Sequence, residues 1–253
     1  MKNLINFILI FTLNIWFYFW APFVLFFSLL IYTPYVAFFR IFQPAKTMFH
    51  FRKSINLYGK SVGLTAWPWI KIKLHNSPPG DGAPYIFVEN HTSSFDPFLQ
   101  GFLPFELVQA ARDWALRLPV LGIVAKFAGY LDVNSLPGKK LVKSAENRIR
   151  NGISVVFFPE GTRYPYDNMG PFHSTAFRVA FETETAVVPV IIKGVDNKPK
   201  KGSLLMHPGR IDIYCLPVID PKEFKATSHM ALKKLVRNKM EEKKKMLSGK
   251  HKQ

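Results

Sequence analysis

Cysteine is almost absent from this chain. Its 253 residues include a single cysteine, Cys215, so no disulfide can form within the chain. Cys215 alternates with Ile211 and Ile213, and this period of two predicts a strand with one buried face. We therefore expect Cys215 to be a buried strand residue and not a reactive thiol.

Acidic residues are also scarce. The chain has 34 Lys and Arg against 17 Asp and Glu, which gives a formal net charge of +17 and a pI near 9.9. Such an excess implies an anionic partner, for which nucleic acid is the generic candidate. However, the hydrophobic content is 48% and there are 24 Phe residues, which point to lipid. We expect membrane phospholipids as partners and no nucleic acid.

Charged side chains are missing from residues 3–39. This run exceeds the roughly 20 residues that one helix needs to cross a bilayer, and Pro22 divides it into two apolar halves. Because Lys2 precedes the first half and Arg40 follows the second, the pattern predicts a membrane helical hairpin over residues 1–40 with both ends facing the cytoplasm. A cleaved signal peptide is the alternative, but its apolar core is usually about 7 to 15 residues and ends at small residues.

Basic amphipathic patterns occur on both sides of the central part of the chain. Residues 41–66 carry apolar side chains at intervals of three and four and predict an amphipathic linker helix, which packs on a domain or lies on the membrane. Residues 221–253 repeat the pattern with Leu232, Val236 and Met240, and predict a basic C-terminal helix and tail. The cations of this tail face solvent or anionic phosphate groups, such as those of lipid headgroups.

Residues 67–220 have the pattern of one catalytic domain. Apolar or alternating runs typical of strands occur at residues 70–74, 85–88, 153–158 and 187–193. Helical patterns lie at residues 118–127, 139–150 and 174–184. This alternation predicts an α/β layered fold with a central mixed sheet. Two of the strands end directly at polar motifs, the position at which open α/β sheets bind ligands.

The first of these motifs is the sequence NHTSSFD, which contains His91 and Asp96. Residues five apart on a continuous helix lie about 140° apart around its axis, so the segment must turn if the two side chains are to meet. We predict that Asp96 accepts the N–H of one ring nitrogen while the other takes a proton from a hydroxyl group. The alternatives are a simple helix start at Asp96 and an N-glycosylation sequon at Asn90. No metal site is expected.

The second motif is FPEGTR, which ends at Arg163. Gly161 permits a tight turn, and Thr162, Arg163 and the neighbouring backbone amides can donate hydrogen bonds to a phosphate. A surface turn with a contact between Arg163 and Glu160 is the alternative. We interpret His173, the histidine that follows this motif, as a loop or helix-start residue.

The order and spacing of the two motifs resemble motifs I and III of the glycerolipid acyltransferases, the family that includes 1-acylglycerol-3-phosphate acyltransferase. The resemblance extends over residues 84–192, with residues 187–190 similar to the fourth motif. Positions that match the second motif region are Arg112, Pro119, Gly122 and Gly129. Ser135 departs from the family, which usually has an arginine there that is thought to hold the phosphate of the acceptor.

This resemblance implies an O-acyltransferase that moves a fatty acyl chain from acyl-CoA or acyl carrier protein to the free hydroxyl of 1-acylglycerol-3-phosphate, without a cofactor, in phospholipid synthesis. His91 and Asp96 would be catalytic. The residues implied in substrate binding are Glu160, Gly161, Thr162, Arg163, Arg112 and Lys126. The expected location is the cytoplasmic face of a membrane, in bacteria the inner membrane, with the endoplasmic reticulum as the alternative.

Three other interpretations of the sequence stay open. Ser135 keeps another lysophospholipid or lysolipid as a possible acceptor. A thioester hydrolase would use His91 to activate water on the same thioester. A catalytically silent membrane-binding protein would keep the fold and the basic helix without turnover, although the intact pair of motifs argues against it.

Overall fold

The computed structural model describes residues 2–80, 82–135 and 138–249. Its helices are α1 (Lys2–Phe42), α2 (Thr47–Thr65), α3 (Asp96–Leu99), α4 (Asp113–Leu116), α5 (Leu121–Ala128), α6 (Gly138–Arg150), α7 (Thr175–Thr183), α8 (Pro221–Phe224) and α9 (His229–Gly249). Its strands are β1 (Ile70–His75), β2 (Ile86–Glu89), β3 (Leu107–Ala111), β4 (Leu131–Asp132), β5 (Ser154–Phe157), β6 (Val187–Lys193) and β7 (Gly209–Cys215). The first residue of the predicted hairpin and the last four of the predicted tail lie outside the described residues.

Two compact units make up the chain, and neither follows the sequence continuously. The first comprises Met1–Leu74, Thr92–Pro104 and Ile192–Ile213. The second comprises His75–His91, Phe105–Ile191 and Tyr214–Gln253. The predicted boundaries at residues 40, 66 and 220 stay predictions.

One long helix begins the first unit, so the predicted hairpin within residues 1–40 is wrong. The prediction that the chain turns at Pro22 is wrong, because α1 is one continuous helix with Pro22 and Pro34 inside it. The chain turns through a short 3₁₀ segment at Pro44–Lys46, and α2 follows.

Contacts with α2 on both sides of Pro22 explain why the helix continues. A proline inside a helix removes one hydrogen bond and favours a kink. Before Pro22, the indole N–H of Trp16 donates to the carbonyl of Thr65 at 2.9 Å. After it, the hydroxyl of Tyr35 lies 2.6 Å from Nδ1 of His50. Both halves of α1 are therefore held against the same partner helix.

The N-terminal half of α1 also binds the loop between β6 and β7. The Asn14 side chain donates to the carbonyl of Met206 at 2.8 Å and accepts from the backbone N–H of Met206 at 2.9 Å, while the Tyr18 hydroxyl donates to the carbonyl of Leu204.

Most apolar side chains of α1 are exposed. Its residues Asn3–Phe42 are long and apolar enough to span a membrane by length and composition. At 1.5 Å per residue, the helix is about 60 Å long, roughly twice the thickness of the hydrocarbon core.

A close approach of α2 to the segment after α3 fixes that segment in the first unit. A Cβ atom at Gly101 would lie 2.2 Å from the carbonyl oxygen of Asn56 and 2.3 Å from the backbone nitrogen of Lys60. Only a residue without a side chain fits at such a distance. Helix α2 thus supports α3, which carries Asp96.

Parallel strands form the centre of the second unit, in the order β6-β2-β5-β3-β4. Strand β2 pairs in parallel with both β5 and β6, and β3 pairs in parallel with both β5 and β4. An antiparallel bridge joins Val187 to Ile219, so the pairing is mixed, as predicted. All four residues of β2 and of β5 are buried, which agrees with their nearly continuous apolar sequences.

Helices cover this sheet and complete the core of the second unit. Helix α7 contacts β2, α6 and α9, and the core includes buried side chains of Phe177 in α7, Ala145 in α6 and Val236 in α9. The predicted α/β class with a central sheet is therefore confirmed.

Cys215 is buried, and burial together with the negative charge of Glu89 raises the pKa of its thiol to about 12.

Candidate active site

His91 lies two residues beyond the end of β2, in the second unit. Its backbone N–H donates to Oε1 of Glu160 at 3.0 Å, and its carbonyl accepts from the N–H of Tyr164 at 2.9 Å. Its imidazole packs against the ring of Phe158, with the ring centroids 4.6 Å apart, and the residue is partly exposed. The backbone of His91 is therefore fixed by the second motif.

Asp96 is fully buried at the start of α3, in the first unit. Its Oδ2 accepts from the N–H groups of Thr92 and Ser93, at 2.8 and 2.9 Å. The segment turns, as predicted, and Phe95 is the residue that precedes the helix. Asp96 holds this turn in shape. Its predicted hydrogen bond to the imidazole stays a prediction.

Ser93 stabilises the same turn through its hydroxyl group. Its hydroxyl oxygen accepts from the N–H of Phe95 at 3.1 Å. The hydroxyl proton faces two carbonyls, those of Lys198 at 2.9 Å and Pro199 at 3.0 Å. The backbone of the loop between β6 and β7 thus contacts the turn of the first motif.

Glu160 uses both carboxylate oxygens to hold backbone amides of the second unit. Oε1 accepts from His91, and Oε2 accepts from the N–H of Gly170 at 2.6 Å. Only 3% of the residue is exposed. Burial raises the pKa of Glu160, although the two amides and the positive charge of Lys244 act in the opposite direction. The sequence-based prediction that Glu160 binds substrate stays a prediction.

A tight turn follows Glu160 and brings two further side chains together. Gly161 has a φ of +64°, which favours glycine, and a Cβ there would lie 3.0 Å from the ring of His173 and 3.9 Å from the guanidinium of Arg112. Arg112 follows β3, the parallel neighbour of β5. The ends of β2, β5 and β3 therefore place His91, Gly161 and Arg112 at one edge of the sheet.

The remaining predicted residues lie at the surface of the second unit. Thr162 and Arg163 are partly exposed in the turn that follows Gly161. His173 lies in a loop before α7, as interpreted from the sequence, and its N–H donates to the carbonyl of Pro159 at 2.8 Å. Lys126 is exposed on α5.

Ser135 and Lys126 both act on Asp132. Oδ1 of Asp132 accepts from the N–H groups of Asn134 and Ser135, at 2.9 and 3.0 Å. Burial opposes the ionisation of Asp132, but hydrogen bonds from Ser135 and Asn134 and the charge of Lys126 outweigh this effect and lower its pKa. A cation therefore influences the turn in which the related family usually has an arginine.

Comparisons with known proteins agree on one family. A family model described as Acyltransferase matches residues 70–193. A 1-acyl-sn-glycerol-3-phosphate acyltransferase of Limnanthes douglasii is 27% identical over 176 residues, which cover 67% of this chain and 62% of that protein. The 1-acyl-sn-glycerol-3-phosphate acyltransferase alpha of Mus musculus is 29% identical over 172 residues, which cover 66% of this chain and 60% of that protein. The matched region thus spans about three fifths of the length of these relatives.

A solved structure shows the same fold. It is the crystal structure of the 1-acyl-sn-glycerophosphate (LPA) acyltransferase PlsC from Thermotoga maritima, with a TM-score of 0.74, 24% identity and coverage of 98% of both chains. Both sequence motifs, the edge of the sheet where they meet and the family match agree. Residues 70–193 therefore form a domain of the acyltransferase family.

Proposed function

We propose that this protein transfers a fatty acyl chain from a thioester to the free hydroxyl of 1-acylglycerol-3-phosphate and so forms phosphatidic acid. The observation that carries the proposal is that β2, β5 and β3 bring His91, the Gly161 turn and Arg112 to one edge of the sheet. The 1-acyl-sn-glycerol-3-phosphate acyltransferases among the relatives support this acceptor.

In the reaction, a ring nitrogen of His91 takes the proton of the acceptor hydroxyl. The hydroxyl oxygen attacks the thioester carbonyl and forms the new C–O bond. The C–S bond then breaks, and His91 returns the proton to the departing thiolate. The products are an ester and a free thiol. A general base of this kind contributes typically about 10² to 10⁴ in rate.

Asp96 has two tasks in this proposal. Its hydrogen bonds to Thr92 and Ser93 hold the turn that follows His91. Its negative charge would favour the imidazolium that forms during the reaction and fix the ring tautomer. Because Asp96 is fully buried, this charge is weakly screened by solvent.

The phosphate of the acceptor would be held by hydrogen-bond donors in the turn after β5 and by cations that follow β3 and lie on α5. Arg163, with Thr162 and Arg112, supplies charged and neutral donors, and Lys126 adds a positive charge. For the other substrate, acyl-CoA and acyl carrier protein are both suitable donors of the acyl chain. In this proposal no cofactor takes part.

Membrane association would keep the enzyme close to its lipid substrates. The exposed apolar surface of α1 supports this location. The cytoplasmic face of the membrane is part of the proposal. A bacterial inner membrane and the endoplasmic reticulum both satisfy the proposal.

An acceptor screen tests the function. Purified full-length protein in phospholipid micelles is given a radiolabelled acyl-CoA or acyl carrier protein with 1-acylglycerol-3-phosphate, other lysophospholipids or no acceptor. We expect labelled phosphatidic acid as the main product. Labelled free fatty acid at the same rate with and without acceptor would identify a hydrolase, and absence of any turnover would identify a silent membrane protein.

A pair of histidine variants tests the mechanism. His91→Ala should lose about 10² to 10⁴ in kcat, the contribution of a general base. The matched control is His229→Ala, because His229 begins α9 and lies outside the motifs. Near wild-type turnover by a folded His91→Ala variant would contradict the mechanism.

A further inference from the structure

Helix α9 lies outside residues 70–193, which match the acyltransferase family, and outside both motifs. Its apolar face packs on the second unit through Leu232, Val236 and Met240, all buried. From the sequence alone, its cations are expected to face solvent or anionic phosphate groups. Two of them, Arg237 and Lys244, contact the segment that follows FPEGTR in the second unit.

Arg237 makes the larger set of contacts. Its Nη2 donates to the carbonyl of Met169 at 3.0 Å, and its Nη1 makes a short hydrogen bond to the carbonyl of Gly170. The guanidinium carbon lies 5.2 Å from the centre of the Phe172 ring, and Nε pairs with Glu241 at 2.8 Å. The fork of an arginine thus holds two successive carbonyls of one loop.

These carbonyls belong to the part of the loop that binds Glu160. The peptide group between Met169 and Gly170 accepts from Arg237 at its oxygen and donates to Oε2 of Glu160, at 2.6 Å, through its nitrogen. Oε1 of the same carboxylate accepts from the N–H of His91 at 3.0 Å. A charged donor on the carbonyl polarises the peptide and strengthens its N–H as a donor.

Lys244 acts on the same segment from the same face of the helix, two turns further on. Its ammonium lies 4.8 Å from the centre of the Tyr166 ring, and its positive charge opposes the rise in the pKa of Glu160. It is 8% exposed. Lys244 therefore favours the ionised form of the carboxylate that accepts from His91.

We propose that Arg237 is a positioning residue for His91, acting through the Met169–Gly170 peptide and Glu160. It touches neither substrate nor reacting atoms. Removal of its N–H donors loosens the loop and weakens the hydrogen bond from Gly170 to Glu160. The backbone of His91, which donates to the same carboxylate, is then less well fixed. Because a displacement of about 1 Å at a reacting group can cost 10²-fold in rate, the effect falls on kcat.

Two variants on α9 test the proposal in the full-length protein. Arg237→Met keeps the apolar stem and removes all donors, and Arg237→Lys restores one donor. We expect Arg237→Met to lower kcat at least about tenfold with less than about threefold change in KM, and Arg237→Lys to recover part of the loss. The matched control is Glu241→Gln, which removes the ion pair of Arg237 but leaves its bonds to the loop, and it should stay near wild type.

A double-mutant cycle separates positioning from general stabilisation. If Arg237 acts through Glu160, then Arg237→Met in a Glu160→Gln background should lower kcat by less than about twofold further. Full additivity of the two losses would overturn the proposal. Failure of Arg237→Lys to exceed Arg237→Met in kcat would also overturn it.

Hydrogen exchange measured by mass spectrometry gives a readout independent of the reaction. We expect faster exchange in peptides covering residues 158–172 and 86–95 in Arg237→Met than in Glu241→Gln. This arm rests on the geometry alone, whereas the kinetic arms rest also on the proposed function. Unchanged exchange in both peptides would overturn the relay even if the protein is a transferase.

Discussion

His91 donates its backbone N–H to Oε1 of Glu160 at 3.0 Å, so the second motif holds the first. The register of two parallel strands explains this contact. Val88 pairs with Phe157, and each motif residue lies three positions beyond its strand partner. The 69 residues between His91 and Glu160 therefore equal the offset between the paired strands.

Burial of Glu160 predicts a pH dependence of stability. A carboxyl group whose pKa is raised in the folded state binds its proton more tightly there than in the unfolded chain. Its favourable contribution is therefore complete below the unfolded-state pKa and is lost as the pH rises through the raised pKa.

The comparison of wild type with Glu160→Gln measures this contribution, because glutamine does not titrate. We expect the difference in melting temperature, wild type minus variant, to fall as the pH rises from the ordinary range of glutamate to neutrality. Thermal unfolding at a series of pH values provides the measurement. A difference that increases with pH would contradict the shift.

Much of the fold follows from periodicity. The strands β2, β5 and β6 and the helices α6 and α7 lie within a few residues of their predicted bounds, because each combines a strong apolar pattern with clear ends. Strand β3 was not predicted, since its sequence LVQAA mixes polar and small residues. The predicted turn at Pro22 is wrong, because whether a proline ends a helix depends here on the packing of α1 against α2, and this tertiary contact leaves no local sequence signal.

Some features of the site could be predicted from the sequence, and others could not. Motif spacing predicted a turn between His91 and Asp96 and a tight turn at Gly161, and both are present, because turns depend on residue type and local sequence. The part played by Glu160 was not visible, since a carboxylate that accepts two backbone amides looks the same in sequence as one that binds substrate. The hydrogen bonds of Ser93 and Arg237 to distant carbonyls were not predicted, because a backbone carbonyl carries no sequence signal.

Asp96→Asn should separate the charge of Asp96 from its hydrogen bonds. An asparagine oxygen can still accept from Thr92 and Ser93, so the turn should persist while the negative charge is lost. We expect kcat to fall by at least about 10², the lower end for general base catalysis, with little change in melting temperature. Asp96→Ala should lower both.

The control for this pair is Asp212→Asn, which removes a charge from an ion pair with Arg210 in β7. Equal effects of Asp96→Asn and Asp212→Asn on kcat would show that the charge of Asp96 has no role in the reaction.

Gly161→Ala should impair activity through two separable effects. The positive φ of +64° is unfavourable for alanine, by about 1 to 3 kcal/mol, and the new Cβ would lie 3.0 Å from the His173 ring. We expect kcat/KM to fall about tenfold or more, because the turn lies beside His91. Gly161→Ala combined with His173→Ala relieves the ring contact and should recover part of the loss.

Gly152→Ala is the control for backbone strain alone. Gly152 has a φ of +76°, and no atom lies within 4 Å of a Cβ built there. It should lower stability but leave kcat/KM unchanged. A loss of activity equal to that of Gly161→Ala would mean that the effect is global.

Arg163→Ala should weaken transfer to an acceptor that carries a phosphate. A hydrogen bond to a charged group is worth about 1.5 to 3 kcal/mol, so kcat/KM for 1-acylglycerol-3-phosphate should fall roughly 10- to 150-fold. The control is Arg178→Ala, which removes a surface ion pair with Glu182 on α7. Unchanged kinetics of Arg163→Ala with the phosphate acceptor would remove Arg163 from its binding site.

Ser135→Arg tests why the position usually occupied by arginine in the related family is a serine here. Ser135 is exposed and holds Asp132 through its N–H, a bond that an arginine keeps, and the added cation would lie in a turn that already contains a carboxylate. We expect the variant to fold and to use 1-acylglycerol-3-phosphate as well as wild type or better, whereas Ser135→Gln, of similar length and uncharged, should give no gain. Kinetics with phosphate-bearing and zwitterionic lysolipids provide the measurement. If Ser135→Arg abolished transfer and a zwitterionic lysolipid were the better acceptor of the wild type, the serine would serve to admit a larger headgroup, and the acceptor would be another lysophospholipid.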